Sequence, residues 1–161
     1  MDGEVLQNVT EERDLGVIVQ ANLKVSSQCT KSVNRANQVL GMIYRTITCK
    51  NKEIILKLYK TLVRPHLEYC IQAWNPWLIK DIEKIERVQH RATKMIPALK
   101  KLTYENRLRE LGITTLETRR LRGDLIEVFK ILKGLEGINR DKLFLLSFNK
   151  LRGHDLKLYK F

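Results

Sequence analysis

LYKTLVRPHLEYCIQAWNPWLIKDIEKIERVQHRATKMI, residues Leu58–Ile96, holds both tryptophans, two of the three prolines and two of the three histidines. It reads as helix, corner, helix. The corner is Trp74-Asn75-Pro76-Trp77, where Pro76 steers Asn75 away from helical dihedrals and two large amphipathic rings flank the break. Both rings are expected to be buried where the helices diverge. After the corner, Ile82, Ile85, Val88, Ala92, Met95 and Ile96 recur at three- and four-residue intervals, one apolar face of a helix over Lys80–Ile96. Lys80, Lys84, Arg87, Arg91 and Lys94 recur with the same period. They fall within roughly 80° of one another, about 120° from the centre of the apolar face. One helix thus carries a core stripe and a basic stripe.

Working outward, the N-terminal part offers two short β-like runs, Val5–Val9 and Leu15–Val19, separated by a charged turn over Thr10–Asp14. Ser26 or Ser27 is placed to cap a helix over Gln28–Ile47 with Cys29, Val33, Ala36, Leu40, Ile43 and Ile47 on one face. Lys31, Arg35 and Arg45 lie off that face, and Asn34, Asn37 and Gly41 form a small-residue strip. Asn51 can cap the following helix, which Pro65 should kink or break. Further on, Thr103 starts a short helix, Tyr104–Leu111, that Gly112 closes. Thr114 to Glu117 fits a capping box for a last long helix from Leu116 to Leu135, with Leu121, Leu125, Val128, Leu132 and Leu135 on one face. Arg119, Arg120 and Arg122 crowd its first half, against the helix dipole, so anions should compensate them, acidic side chains such as Glu117 and Asp124 among them.

The order VRPHLEYC, W-x-P, DIEKIERVQHRATKMI, YENRLRELGI and RRLRGDLIEVFKIL resembles the region after the polymerase core in reverse transcriptases of non-LTR retrotransposons, the vertebrate chicken-repeat type of LINE. The resemblance runs from about Glu12 to about Tyr159, nearly the whole chain. It implies the thumb and C-terminal part of an RNA-directed DNA polymerase without its catalytic palm, with ERDLGVIV matching the last strand region of the palm. The residue after that strand is usually an acid; here it is Gln20. In such enzymes the thumb holds the template-primer duplex.

Thirty lysines and arginines against 18 acids give the 161 residues a net charge of +12. The surplus is uneven, with a balance of −4 over residues 1–23 and +16 beyond. Such an excess favours a polyanion as partner; the alternative is that the charge only keeps the chain soluble. Cys29, Cys49 and Cys70 are odd in number and widely spaced, which argues for reduced, mostly buried thiols. No apolar run approaches the ~20 residues of a membrane span, and the acidic start is unlike a signal peptide. A soluble intracellular protein, nuclear or cytoplasmic, with no membrane partner is expected.

Polymerases hold two Mg²⁺ ions with clustered carboxylates, and reverse transcriptases supply two of them in an aromatic-x-Asp-Asp turn. No Asp-Asp pair occurs in this sequence. Nucleotide-binding and hydrolase signatures are missing as well, as is any Cys/His metal set, so no catalytic residue, metal or cofactor is assigned. Arg122-Gly123-Asp124 lies inside a periodic helix and is not read as an adhesion motif. What remains is backbone recognition. Side chains four apart on a helix are separated by about 6 Å along its axis, near the phosphate spacing of a strand. The candidate contacts are therefore Lys80, Lys84, Arg87, Arg91 and Lys94, with Arg119, Arg120 and Arg122. Their target would be an RNA-DNA or DNA duplex, and an intact reverse transcriptase palm is a second possible partner. The alternative for the stripe is a solvated face laced by Asp81, Glu83 and Glu86. The sequence thus predicts a mainly α protein: a β remnant over 1–23, a thumb-like helical bundle over 24–137 and a basic tail over 138–161. The resemblance implies a non-catalytic reverse-transcriptase fragment that binds template-primer without reading sequence. The competing reading is an interaction protein or a decayed open reading frame with no selected partner.

Overall fold

The computed structural model describes residues 8–147 and 156–159. The fold is mainly α, with one two-stranded antiparallel hairpin at the front of the described chain. Two compact units divide at Arg120/Leu121, inside the last long helix.

In the first unit, strand β1 (Glu11–Asp14) pairs with β2 (Val17–Gln20), from Glu11 opposite Gln20 to Asp14 opposite Val17. The charged segment expected to be the turn is therefore itself a strand. The turn is Leu15-Gly16, both at positive φ (44° and 87°), which matches the right-handed twist of a two-residue hairpin. The part of the expected first strand before Asn8 lies outside the described residues. All four side chains of β1 are exposed, while Val17 is buried and the Ile18 N–H donates to Gln28 Oε1 at 2.9 Å.

Helix α1 (Ser26–Thr46) buries Cys29, Val33, Ala36, Leu40 and Ile43, the face its periodicity predicts. Its start is not capped by Ser26 or Ser27. The N-cap is Val25, and the Ser26 hydroxyl donates instead to Asp81 Oδ2 at 2.5 Å. Asn51 does cap α2 (Lys52–Leu58), accepting from the Ile54 N–H. Beyond it Pro65 does not break the helix. A π-helical turn (Tyr59–Val63) leads straight into α3 (Arg64–Glu68), and Arg64, just before the proline, keeps αR dihedrals and bonds to the Tyr59 carbonyl five residues back. The extra residue in that turn displaces the carbonyl a proline ring would strike. The interruption comes later, at Cys70 (φ 50°), before the short α4 (Ile71–Trp74).

Trp74 is buried, 1% exposed, and its indole N–H donates to the Tyr69 carbonyl at 2.7 Å. Trp77 is 69% exposed, against expectation. Asn75 is extended (ψ 117°), as a residue before proline should be, and Pro76 takes the buried place at the corner. Helix α5 (Ile79–Lys94) buries Ile85, Val88 and Ala92. Helix α6 (Tyr104–Leu111) is capped by Thr103 and closed by Gly112 at φ 59°. The last long helix, α7 (Leu116–Leu132), starts from Thr115, whose Oγ1 accepts the Thr118 N–H, and not from Thr114.

In the second unit α7 ends at Leu132, short of the expected Leu135, and the chain leaves at Gly134 (φ 68°). Its apolar face is not core throughout: Ile131 and Leu132 are buried, whereas Leu121, Leu125, Phe129 and Leu135 are exposed. A 3₁₀ turn (Arg140–Lys142) follows, and Leu146 bridges Leu158 as an isolated antiparallel pair. Residues 148–155, and with them Arg152 of the expected tail, lie outside the described part, as does Lys160.

Candidate nucleic-acid interface

Helices α1 and α5 run side by side in the same direction. Ser26 meets Asp81 near their first turns, Lys84 Nζ donates to Thr30 Oγ1 at 2.9 Å one turn on, and Asn37 to Arg45 share a groove with Arg91 to Met95 farther along. Both C-termini therefore lie at one end, and the cations of both last turns, Arg45 with Arg91 and Lys94, gather there. That placement suits the partial negative charge of two helix ends. Lys100, just past the 3₁₀ turn Pro97–Leu99, joins them. The groove has a volume of about 470 Å³, with Leu40 and Met95 as apolar lining and Tyr44 at its wall. No carboxylate lines it, and among the described residues none of its four cations has an ion-pair partner. Asn37 Oδ1 is buried there without a donor, which costs about 1–3 kcal/mol unless a donor arrives.

A second groove, about 830 Å³, lies along the first half of α1. Arg13, Lys31, Arg35 and His66 line it with Ser27 and Asn34, and Glu11 is its one acid. Lys31 already donates to the Gly16 carbonyl at 3.2 Å.

The eight expected contacts are separated by the fold. Arg91 and Lys94 reach the acid-free groove. Lys80 is exposed, and Arg87 is exposed but paired with Glu83 at 3.2 Å, an ion pair worth little in water. Lys84 is tied to Thr30. Arg119 makes two bonds to Glu68, at 2.6 and 3.2 Å, and this partner raises its pKa against the opposing effect of burial. Arg120 is 3% exposed with both terminal nitrogens unpartnered, and burial lowers its pKa. Arg120 is thus buried, whereas Arg119, its side chain 36% exposed, is held by Glu68. Arg122, in the second unit, is exposed. Glu68, with Glu86 accepting from the Leu116 N–H, supplies anions at the start of α7, and Glu117, one of the expected acids, acts on Arg120 together with Glu86.

No protein-family model, curated protein or solved structure matches this chain. Among the described residues no helix is long and apolar enough to cross a membrane, and no group of three or more His, Cys, Asp and Glu side chains could hold a metal ion.

Beside the basic groove, on α5, His90 stacks on Tyr104 with centroids 3.4 Å apart. Burial lowers its pKa, helped by Arg107 and Lys94 and opposed by Glu86. Glu86 itself accepts from the Tyr104 hydroxyl and from Gln89, whose Oε1 accepts from Tyr59 at 2.7 Å. This buried network fixes α6 and the start of α7 to α5. Sequence reading missed Tyr44 and Lys100 as groove residues. The spacing of Lys31, Arg35 and Arg45, four then ten apart, was the available signal for a cationic side of α1.

Proposed function

We propose that this chain is the non-catalytic, thumb-like C-terminal part of a non-LTR retrotransposon reverse transcriptase, and that it holds template-primer nucleic acid by its phosphate backbones. The observation that carries the binding is the acid-free groove on which Arg45, Arg91, Lys94 and Lys100 converge. Backbone contacts of this kind position a duplex and carry no sequence information. The second groove, along the first half of α1, adds Arg13, Lys31 and Arg35 as further cations. The motif order of the sequence supports the family, and the lack of an Asp-Asp pair supports a role without polymerase chemistry.

The test is salt dependence. Log affinity for duplex against log salt falls with a slope of about −0.9 per phosphate contact. Replacing Arg45, Arg91, Lys94 and Lys100 with glutamine should flatten it by about 3 to 4 units, while Arg119→Gln should leave the slope unchanged. Affinity should be alike for unrelated sequences. An unchanged slope in the folded four-site variant would remove this groove from the interface. Absence of binding by the parent at low salt would favour the inert or interaction-protein alternative.

A further inference from the structure

The groove between the C-terminal halves of α1 and α5 has a feature that phosphate binding to a duplex does not use. Tyr44 is 57% exposed and lines it. Lys50 Nζ stands 4.0 Å from the ring centroid over one face, so that face already has a cation against it. The other face has no ring partner among the described residues. An exposed aromatic ring on the wall of a cationic groove is the arrangement that binds unpaired nucleotides, because every base has a π-face to stack while the cations take the backbone. The volume of about 470 Å³ suits a small ligand. A duplex has its bases stacked inside and offers none to Tyr44.

Building on the nucleic-acid reading above, we propose that this groove is a single-stranded nucleotide site. An unpaired base next to the bound duplex stacks on Tyr44, and its flanking phosphates meet Arg45, Arg91, Lys94 and Lys100. The chain would then recognise the junction between duplex and single strand, not duplex alone.

The experiment compares a blunt RNA-DNA hybrid with the same hybrid carrying an unpaired 2-aminopurine nucleotide at one end, each end in turn. Stacking one base on an aromatic ring should tighten binding of one overhang about tenfold or more, and 2-aminopurine fluorescence should change on binding. Tyr44→Ala should abolish both effects, so that the overhanging hybrid binds no tighter than the blunt one; Tyr44→Phe should keep both. The ring is exposed, so far-UV circular dichroism and melting should match the parent for both variants. Equal affinity for blunt and overhanging hybrids, or an overhang gain that survives Tyr44→Ala, would overturn the proposal while leaving duplex binding intact. Failure of the parent to bind any of these hybrids would remove the duplex reading and this site together.

Discussion

Removing the Trp74 side chain tests whether the corner organises the first unit. The indole is 1% exposed and belongs to the buried core of the first unit, so Trp74→Ala leaves a cavity there. Large-to-small changes of this kind cost about 3–5 kcal/mol. The indole N–H bond to the Tyr69 carbonyl is lost as well, but Tyr69 is 56% exposed and water can replace the donor, so that share is small. Against a typical total of about 5–15 kcal/mol, the variant should still fold but only just. Trp74→Phe keeps most of the apolar volume and should fall between the two. Trp77→Ala is the control, because at 69% exposure its truncation should stay within about 0.5 kcal/mol. Urea unfolding followed by far-UV circular dichroism gives all three values. A loss below about 1 kcal/mol for Trp74→Ala, or an equal loss for Trp77→Ala, would refute the account of the corner.

Two further outcomes follow from titratable groups. Cys49 and Cys70 are exposed, whereas Cys29 is fully buried, with its thiol pushed up to about 11 by burial and then by Asp81. A thiol reagent should therefore label two cysteines quickly and the third only on unfolding; three fast equivalents would contradict the packing of α1. The pKa of His90 is lowered in the folded state, chiefly by burial, so the unfolded chain takes up the proton first as pH falls. Stability should drop as pH falls through the ordinary histidine value of about 6.5, and His90→Gln should lose less over that interval; equal losses would show that His90 is not responsible.

Features set by neighbours in sequence were legible, and those set by distant partners were not. Helix α6 was readable to the residue because Thr103 and Gly112 act within a turn of the helix they bound. The start of α1 was misread because Ser26, a good capping residue, is claimed by Asp81, 55 residues away. Pro65 was read as a kink or break because nothing local announces a π turn upstream of it. The hairpin was shifted because four charged residues look like a turn, yet can form an exposed strand when Val17 opposite them supplies the buried contact. The basic stripe of α5 was visible as a period, but which members remain available was decided elsewhere in the first unit. Thr30 took Lys84, and the charge on Arg119 was answered from α3 by Glu68.

The direction of the two long helices determines what kind of binding the basic end can support. Helix N-termini hold phosphates with backbone N–H groups and a favourable dipole, but at the first turns of α1 and α5 the chain places Asp81 and, from β1, Glu11. The opposite end gathers Arg45, Arg91, Lys94 and Lys100 over two helix C-termini, where the dipoles oppose an anion. Any phosphate held there must be held by side-chain charge alone, without a backbone cradle. Binding through such long, mobile cations is steep in salt and tolerant of strand geometry. On the nucleic-acid reading proposed above, the choice of partner would fall to the rest of the groove's surface, where the exposed ring of Tyr44 is the element that would tell an unpaired base from a paired one.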